Sequence, residues 1–204
     1  MMKTQEHWER VYSTKRETEV SWYQAHPEHS LELIRSAAPD LSASILDVGG
    51  GASRLVDELI GLGYSNLTVL DVSHFALDRS KARLGRRSDN VSWIVADVTQ
   101  WKPERTWDVW HDRAVFHFLT TIEDQNAYIT ALEVATKPGS SAIISTFALD
   151  GPDRCSGLPV QRYSPASLAA RIGSKFEMVS QTNEAHTTPG GTTQLFSYAL
   201  LKRR

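Results

Sequence analysis

Cysteine is nearly missing. Cys155 is the only one in 204 residues, so no disulfide can close within the chain, and a reducing, cytoplasmic setting is expected. No apolar run approaches the ~18 residues of a membrane span, and the stretch from Met1 to His7 lacks the apolar segment of a secretory leader. Neither charge is in excess: 22 basic and 24 acidic side chains leave a net charge of −2. That excludes a global pull toward nucleic acid or an anionic membrane surface. The one run of three basic residues, Lys202-Arg-Arg204, reads as a solvated tail. No histidine or cysteine stands at ligand spacing from Cys155, so no metal site is expected. Repeats, low-complexity segments and dividing linkers are missing as well. The hydrophobic content of 41% and charged content of 23% are those of a globular protein, and residues 1–204 are expected to form one domain.

What is present is an alternation. A helical lead-in over residues 1–40 starts with a helix capped by Thr4, carrying Trp8 and Tyr12 four apart on one face. Trp22 and Tyr23 follow in a loop, His26-Pro27 opens a second helix, and Pro39 stops it. These four aromatics either form a lid over a ligand or pad the sheet edge; both readings stay open. From Ser44 onward, strands and helices take turns through residue 147. Strands are expected at Ile45–Val48, Leu67–Leu70, Val91–Val95, Trp107–His111 and Ser141–Phe147. Between them lie helices at Arg54–Ile60, at Phe75–Leu84 behind a Ser73 cap, and at Glu123–Thr136 behind a Thr121 capping box. Lys137-Pro-Gly139 is expected to end the last of these. Such alternation calls for a parallel sheet with helices on both faces. Residues 148–204 change character: a long loop to Tyr163, a helix Ala166–Ile172 started by Ser164-Pro165, and two strands, Lys175–Ser180 and Gln194–Leu201, that should pair antiparallel.

Open parallel sheets bind ligands beyond the carboxyl ends of their strands. The residues gathered there are Asp47 with Gly49, Gly50 and Gly51, then Asp71, Asp97, and His111 with Asp112. Each acid has a structural explanation of its own: Asp47 caps a helix, Asp71 fixes the turn before Ser73, Asp97 opens a turn. Three of them on successive strand ends, beside a glycine loop, point instead to a shared ligand. Asp71 falls 22 positions after Gly49 (71 − 49), near the ~20 at which a ribose-binding carboxylate belongs. Asp47, two residues before the first glycine, would repel a pyrophosphate and attract an ammonium. The ligand expected therefore joins ribose, adenine and an amino-acid group without phosphates.

The segment Asp47-Val-Gly-Gly-Gly-Ala-Ser53 resembles the D-x-G-x-G-x-G loop of class I S-adenosylmethionine-dependent methyltransferases, with Ser53 in place of the usual last glycine. The likeness runs from about Trp8 to the final strand. It implies a Rossmann-like α/β fold, with seven strands, mostly parallel, and the last one antiparallel. It implies S-adenosyl-L-methionine as the cofactor. Gly49, Gly51 and Ser53 would pass its methionine part, Asp71 would take the ribose, Asp97 the adenine amino group, and Val98 the ring through its backbone N–H, with Asp47, Gly50 and Val72 also in the cofactor site. Lys137-Pro-Gly139 resembles a further landmark of that family.

Methyl transfer from a sulfonium is a direct displacement at carbon, so alignment of donor and acceptor supplies much of the catalysis. Where a proton must leave the acceptor, His111, Asp112 and His117 are the candidate bases. A helix after Asp112 would set Arg113 and His117 on one face; packing within Phe116-His-Phe-Leu119 is the competing role for His117. Asp112 has a second candidate role at the cofactor's ammonium. Arg154 and Arg162, in the loop after the fifth strand, are candidates for an anionic group of the acceptor, and Cys155 for a soft atom. A small-molecule acceptor is expected. A protein lysine is the alternative, because the aromatic lead-in resembles that of some protein-lysine methyltransferases. A nucleotide-binding module without catalysis is the third reading.

Overall fold

The computed structural model describes residues 2–204, with side chains from Thr4 onward. Its centre is a seven-stranded sheet. The strands are β1 (Ser44–Val48), β2 (Asn66–Asp71), β3 (Val91–Val95), β4 (Trp107–Arg113), β5 (Thr136–Phe147), β6 (Phe176–Thr187) and β7 (Thr193–Arg203). They lie side by side in the order β3-β2-β1-β4-β5-β7-β6. β3, β2, β1, β4 and β5 pair in parallel; β7 runs antiparallel to both β5 and β6. The expected mostly parallel sheet with its last strand antiparallel is what forms.

The two faces follow from strand alternation, since successive side chains leave a strand on opposite sides. Ile45, Val69, Val109 and Ile143 face a core shared with α2 (Glu28–Ala37), α3 (Leu55–Gly61) and α4 (His74–Leu84). Leu46, Val48, Trp110 and Ile144 face the opposite core, with α5 (Ile122–Val134) and α6 (Pro165–Ile172). Helix starts follow the local chemistry. Ser73 Oγ accepts the Ala76 N–H at 3.2 Å, and Thr121 Oγ1 accepts the Asp124 N–H at 3.2 Å. Ser164 and Ser167 form a reciprocal capping box ahead of Pro165. Ser164→Ala is expected to cost ~1 kcal/mol, read as a lower urea midpoint with an unchanged slope.

Four expectations need correction. Thr4 does not cap the first helix, because α1 (Met2–Thr14) already includes it. Helix α5 stops at Val134, and Lys137-Pro-Gly139 lies in β5 instead of ending a helix. Trp107 pairs with Thr136 but Val109 pairs with Ser141, so residues 137–140 bulge out of the ladder. Proline lacks the N–H a ladder needs and Gly139 adopts φ +89°, so a bulge suits both. No α-helix follows Asp112: Ala114 turns at φ +75°, and only a 3-10 turn, Phe116–Phe118, comes after it. Finally, the 148–163 loop folds back as a small ribbon, with Arg154–Cys155 against Leu158–Pro159.

Candidate active site

Strand order reverses between β1 and β4, which is where an open parallel sheet leaves a crevice. A cleft open to solvent at its mouth lies there. Gly49, Asp71, Val72, Asp97 and Val98 line its inner part. Trp8, Tyr12 and Trp22 line the part facing the lead-in. A second, narrower cavity of about 600 Å³ opens beside it, with Tyr23, Asp47, Gly50, Ser53 and His111 on its walls. Tyr12, Trp22, Gly49 and Arg113 belong to both, so the two meet at the first glycine.

The loop fits only without side chains. Gly49 and Gly51 take φ +69° and +35°, where an L side chain is strained. A Cβ on Gly50 would stand 2.4 Å from Asp47 Oδ2, and one on Gly51 would stand 2.6 Å from Asp71 Oδ2. Each carboxylate thus turns one oxygen toward the loop. Ser53 starts α3: its N–H donates to the Gly50 carbonyl at 2.8 Å, and its Oγ accepts the Leu55 N–H at 3.1 Å.

Asp71 is 6% exposed, and burial pushes its carboxyl up to about 7, with the nearby Asp47 and Glu9 adding to the shift and the Ser73 N–H opposing it. Asp97 is less enclosed and opens a turn, accepting the Thr99 N–H and hydroxyl at 2.9 and 2.8 Å. The structural role suggested for Asp97 is therefore realised, and its side chain still borders the cleft.

Alternation along β4 parts the candidate bases. Asp47 and His111 are register partners on adjacent strands, so their side chains share a face. His111 Nδ1 meets Asp47 Oδ1 at 2.7 Å, and Nε2 meets Ser30 Oγ of α2 at 3.0 Å. Asp112 points to the opposite face, fully buried. Its oxygens accept the Val115 N–H at 2.7 Å, the Phe116 N–H at 3.0 Å and the Tyr128 hydroxyl at 2.6 Å. Burial holds that carboxyl near 6 despite those bonds, and it borders neither cavity. His117 is also fully buried, packed against Phe118 and Phe147. Burial, with Arg113 nearby, lowers its pKa to about 3. It takes the packing role. Arg154 is exposed and bonds the Gly157 carbonyl, away from both cavities.

Trp8, Tyr12 and Trp22 of the lead-in form a wall of the cleft. The Trp8 ring lies edge-on to Trp22 at 5.6 Å and to Phe118 at 5.1 Å. Glu9 clamps α1 onto the start of α4, accepting from Ser73 Oγ at 2.6 Å and from the His74 N–H at 3.0 Å. Such a carboxylate at a helix N-terminus satisfies open N–H groups and the helix dipole. Behind Trp22, the His186 ring donates to the Ser21 carbonyl at 2.7 Å and Gln24 donates to Glu184.

Sequence reasoning missed Arg113 as a wall of the site. Its guanidinium lies 4.4 Å over the Phe196 ring and donates to the Tyr198 hydroxyl at 3.0 Å and the Trp22 carbonyl at 3.2 Å. The signal was available: Arg113 stands two residues after His111 on the same strand, hence on the same face. Phe118, Phe196 and the buried Cys155 complete the wall. Burial pushes the Cys155 thiol up to about 12.

This donor set suits a nucleoside carrying an amino-acid cation. Two carboxylates flank the loop, and the two arginines on the narrower cavity are already paired, Arg54 with Glu17 and Arg113 with Glu184. A pyrophosphate would meet charge of its own sign.

Comparison with known proteins agrees with that geometry. Residues 45–139 match a family model described as a methyltransferase domain. The chain is 26% identical over 121 residues to the mouse (Mus musculus) eEF1A lysine and N-terminal methyltransferase, covering 59% of this chain and 17% of that protein. It is 28% identical over 118 residues to nodulation protein S of Rhizobium tropici, covering 58% and 49%. The chain thus spans less than half the length of either relative. Among solved structures, the N-methyltransferase NodS of Bradyrhizobium japonicum WM9, in complex with S-adenosyl-L-homocysteine, superposes with a TM-score of 0.73 at 16% identity, covering 98% of each chain. Its likeness is one of fold. Residues 45–139 thus resemble a methyltransferase domain, and the sheet order agrees with the Rossmann-like fold of that solved methyltransferase.

Proposed function

We propose that this protein transfers a methyl group from S-adenosyl-L-methionine to a small-molecule acceptor. One observation carries the reading: the glycine loop and three strand-end acids border a cleft and its side cavity that run up to an aromatic wall. In this reading Asp47 attracts the ammonium, Gly49 to Ser53 let the backbone approach the methionine part, Asp71 takes the ribose hydroxyls, and Asp97 with the Val98 N–H takes the adenine. The bound cofactor supplies an electrophilic methyl; the acceptor's lone pair forms the new bond as the sulfur–methyl pair returns to sulfur.

The chain's own task is to align, desolvate and exclude water. The ionisable groups on the acceptor side are Tyr12, Cys155 and Arg113. Burial raises both the Tyr12 hydroxyl and the Cys155 thiol, so neither takes a proton near neutrality. With His111, Asp112 and His117 committed elsewhere, the acceptor must arrive with its lone pair free or lose its proton to water. The kcat at saturating cofactor is therefore expected to follow the acceptor's own ionisation. A bell-shaped kcat profile unchanged across acceptors of different pKa would contradict this.

Incubating cell lysate with the protein and deuterated-methyl cofactor, then reading label by mass spectrometry, tests the function. Label in small metabolites is expected. Label confined to protein would support the lysine reading, which the aromatic wall and the eEF1A-directed relative favour. Calorimetry showing cofactor binding, with no turnover on broad acceptor panels, would favour a binding module. The single reduced cysteine is consistent with a cytoplasmic site of action. Among the described residues no helix is long and apolar enough to cross a membrane.

A further inference from the structure

Resting on the reading of Asp47 as the ammonium's partner, we propose that His111 and Ser30 are positioning residues that hold the Asp47 carboxylate in its binding orientation. The three side chains form one chain across three elements, β1, β4 and α2, with exposures of 5% for Asp47, 2% for His111 and 1% for Ser30. A carboxylate oxygen only accepts, so the imidazole proton sits on Nδ1. In the neutral imidazole Nε2 then presents a lone pair, to which the Ser30 hydroxyl donates. Both ring nitrogens are engaged, at 2.7 and 3.0 Å, so the ring cannot turn without breaking a buried bond.

That lock reaches the cofactor side. A carboxylate is planar, so pinning Asp47 Oδ1 on His111 sets the direction of Oδ2. That second oxygen faces the glycine loop, as its nearness to a Cβ built on Gly50 records. Among the described residues, His111 supplies the one side-chain hydrogen bond to Asp47. Without it, Asp47 loses its direction. Ser30 acts one step further back, by holding the ring through its other nitrogen.

Two ligands separate orientation of Asp47 from general damage. S-adenosylhomocysteine carries the amino-acid group; 5′-methylthioadenosine keeps the nucleoside and lacks it. Calorimetry on the full chain is expected to show wild type favouring the first. In His111→Gln that preference should fall about tenfold, with methylthioadenosine affinity held within about twofold. Ser30→Ala should lose a smaller part of the preference, and Ser30→Thr, which keeps the hydroxyl, should restore it. Equal weakening of both ligands in His111→Gln and Ser30→Ala would overturn the positioning role, and so would an intact preference in both. A wild type that binds the two ligands equally would instead overturn the reading of Asp47 on which the proposal stands.

Discussion

Asp71→Asn is expected to make the ligand-free protein more stable and its cofactor site weaker. The carboxyl is buried beside the glycine loop, and burial lifts its pKa from 3.8 to about 7. The folded chain therefore holds this proton over a pH range where the unfolded chain has released it. Stability from this group is greatest below about pH 4, falls as pH rises toward about 7, and stays at the lower level above that. At 1.36 kcal/mol per pH unit, the full penalty would be roughly 4 kcal/mol. Asparagine avoids the charge and keeps the Ser73 N–H bond, but its amide loses the bond from the Val72 N–H. A net gain of about 2 kcal/mol near pH 8 is expected, or ~4–8 °C in Tm for a chain of this size. The gain should vanish near pH 4, where both forms are neutral. Affinity for S-adenosylhomocysteine should fall by ~1–3 kcal/mol, the scale for leaving a buried hydroxyl without its acceptor. Thermal melts at the two pH values and calorimetry check both halves. Equal melting of variant and wild type at high pH would show that Asp71 carries no penalty, and unchanged affinity would remove its ribose role.

Gly50→Ala is expected to be worse than any substitution at an exposed glycine. The added Cβ meets Asp47 Oδ2 at 2.4 Å and Val69 Cγ1 at 2.7 Å. Neither neighbour can yield cheaply: Asp47 is held by His111, and Val69 is 1% exposed inside β2. Overpacking of this kind costs about 1–3 kcal/mol. The larger effect falls on binding, because the cheaper escape is to push Asp47 off His111. Cofactor affinity is expected to drop about a hundredfold, ~2.7 kcal/mol. Gly61→Ala, where the new methyl meets nothing within 4 Å, serves as the comparison and should bind normally. If Gly50→Ala binds like Gly61→Ala, the close approach at this loop has no functional weight.

Elements with strong local chemistry were readable in advance. β1 and β3 are apolar runs with clear stops, and Ser73, Thr121 and Ser164 cap the helices they precede. The strand-end acids Asp47, Asp71 and Asp97 were readable as a group too, because strand ends in a parallel sheet gather on one rim. β6 was read only to Ser180 because the rest of this edge strand, Gln181–Thr187, is largely polar and solvent-facing, which leaves no hydrophobic period to detect. The parting of His111 from Asp112 was legible from alternation alone, once β4 was extended to Arg113. The role of the lead-in was not. It depends on Glu9 meeting Ser73 and His186 meeting Ser21, 64 and 165 positions apart, and no local pattern in one sequence encodes such pairs.

Those distances set an order of events during synthesis. The segment bearing Trp8 and Trp22 leaves the ribosome before any strand of the sheet. Its first anchor, at the start of α4, arrives soon after; its second, at Glu184 and His186 on β6, follows every strand of the sheet but β7. The nascent chain can therefore lay down the glycine loop and the nucleoside-side acids while the cleft still lacks its far wall. The cleft gains that wall only after the hairpin of β6 and β7 has docked.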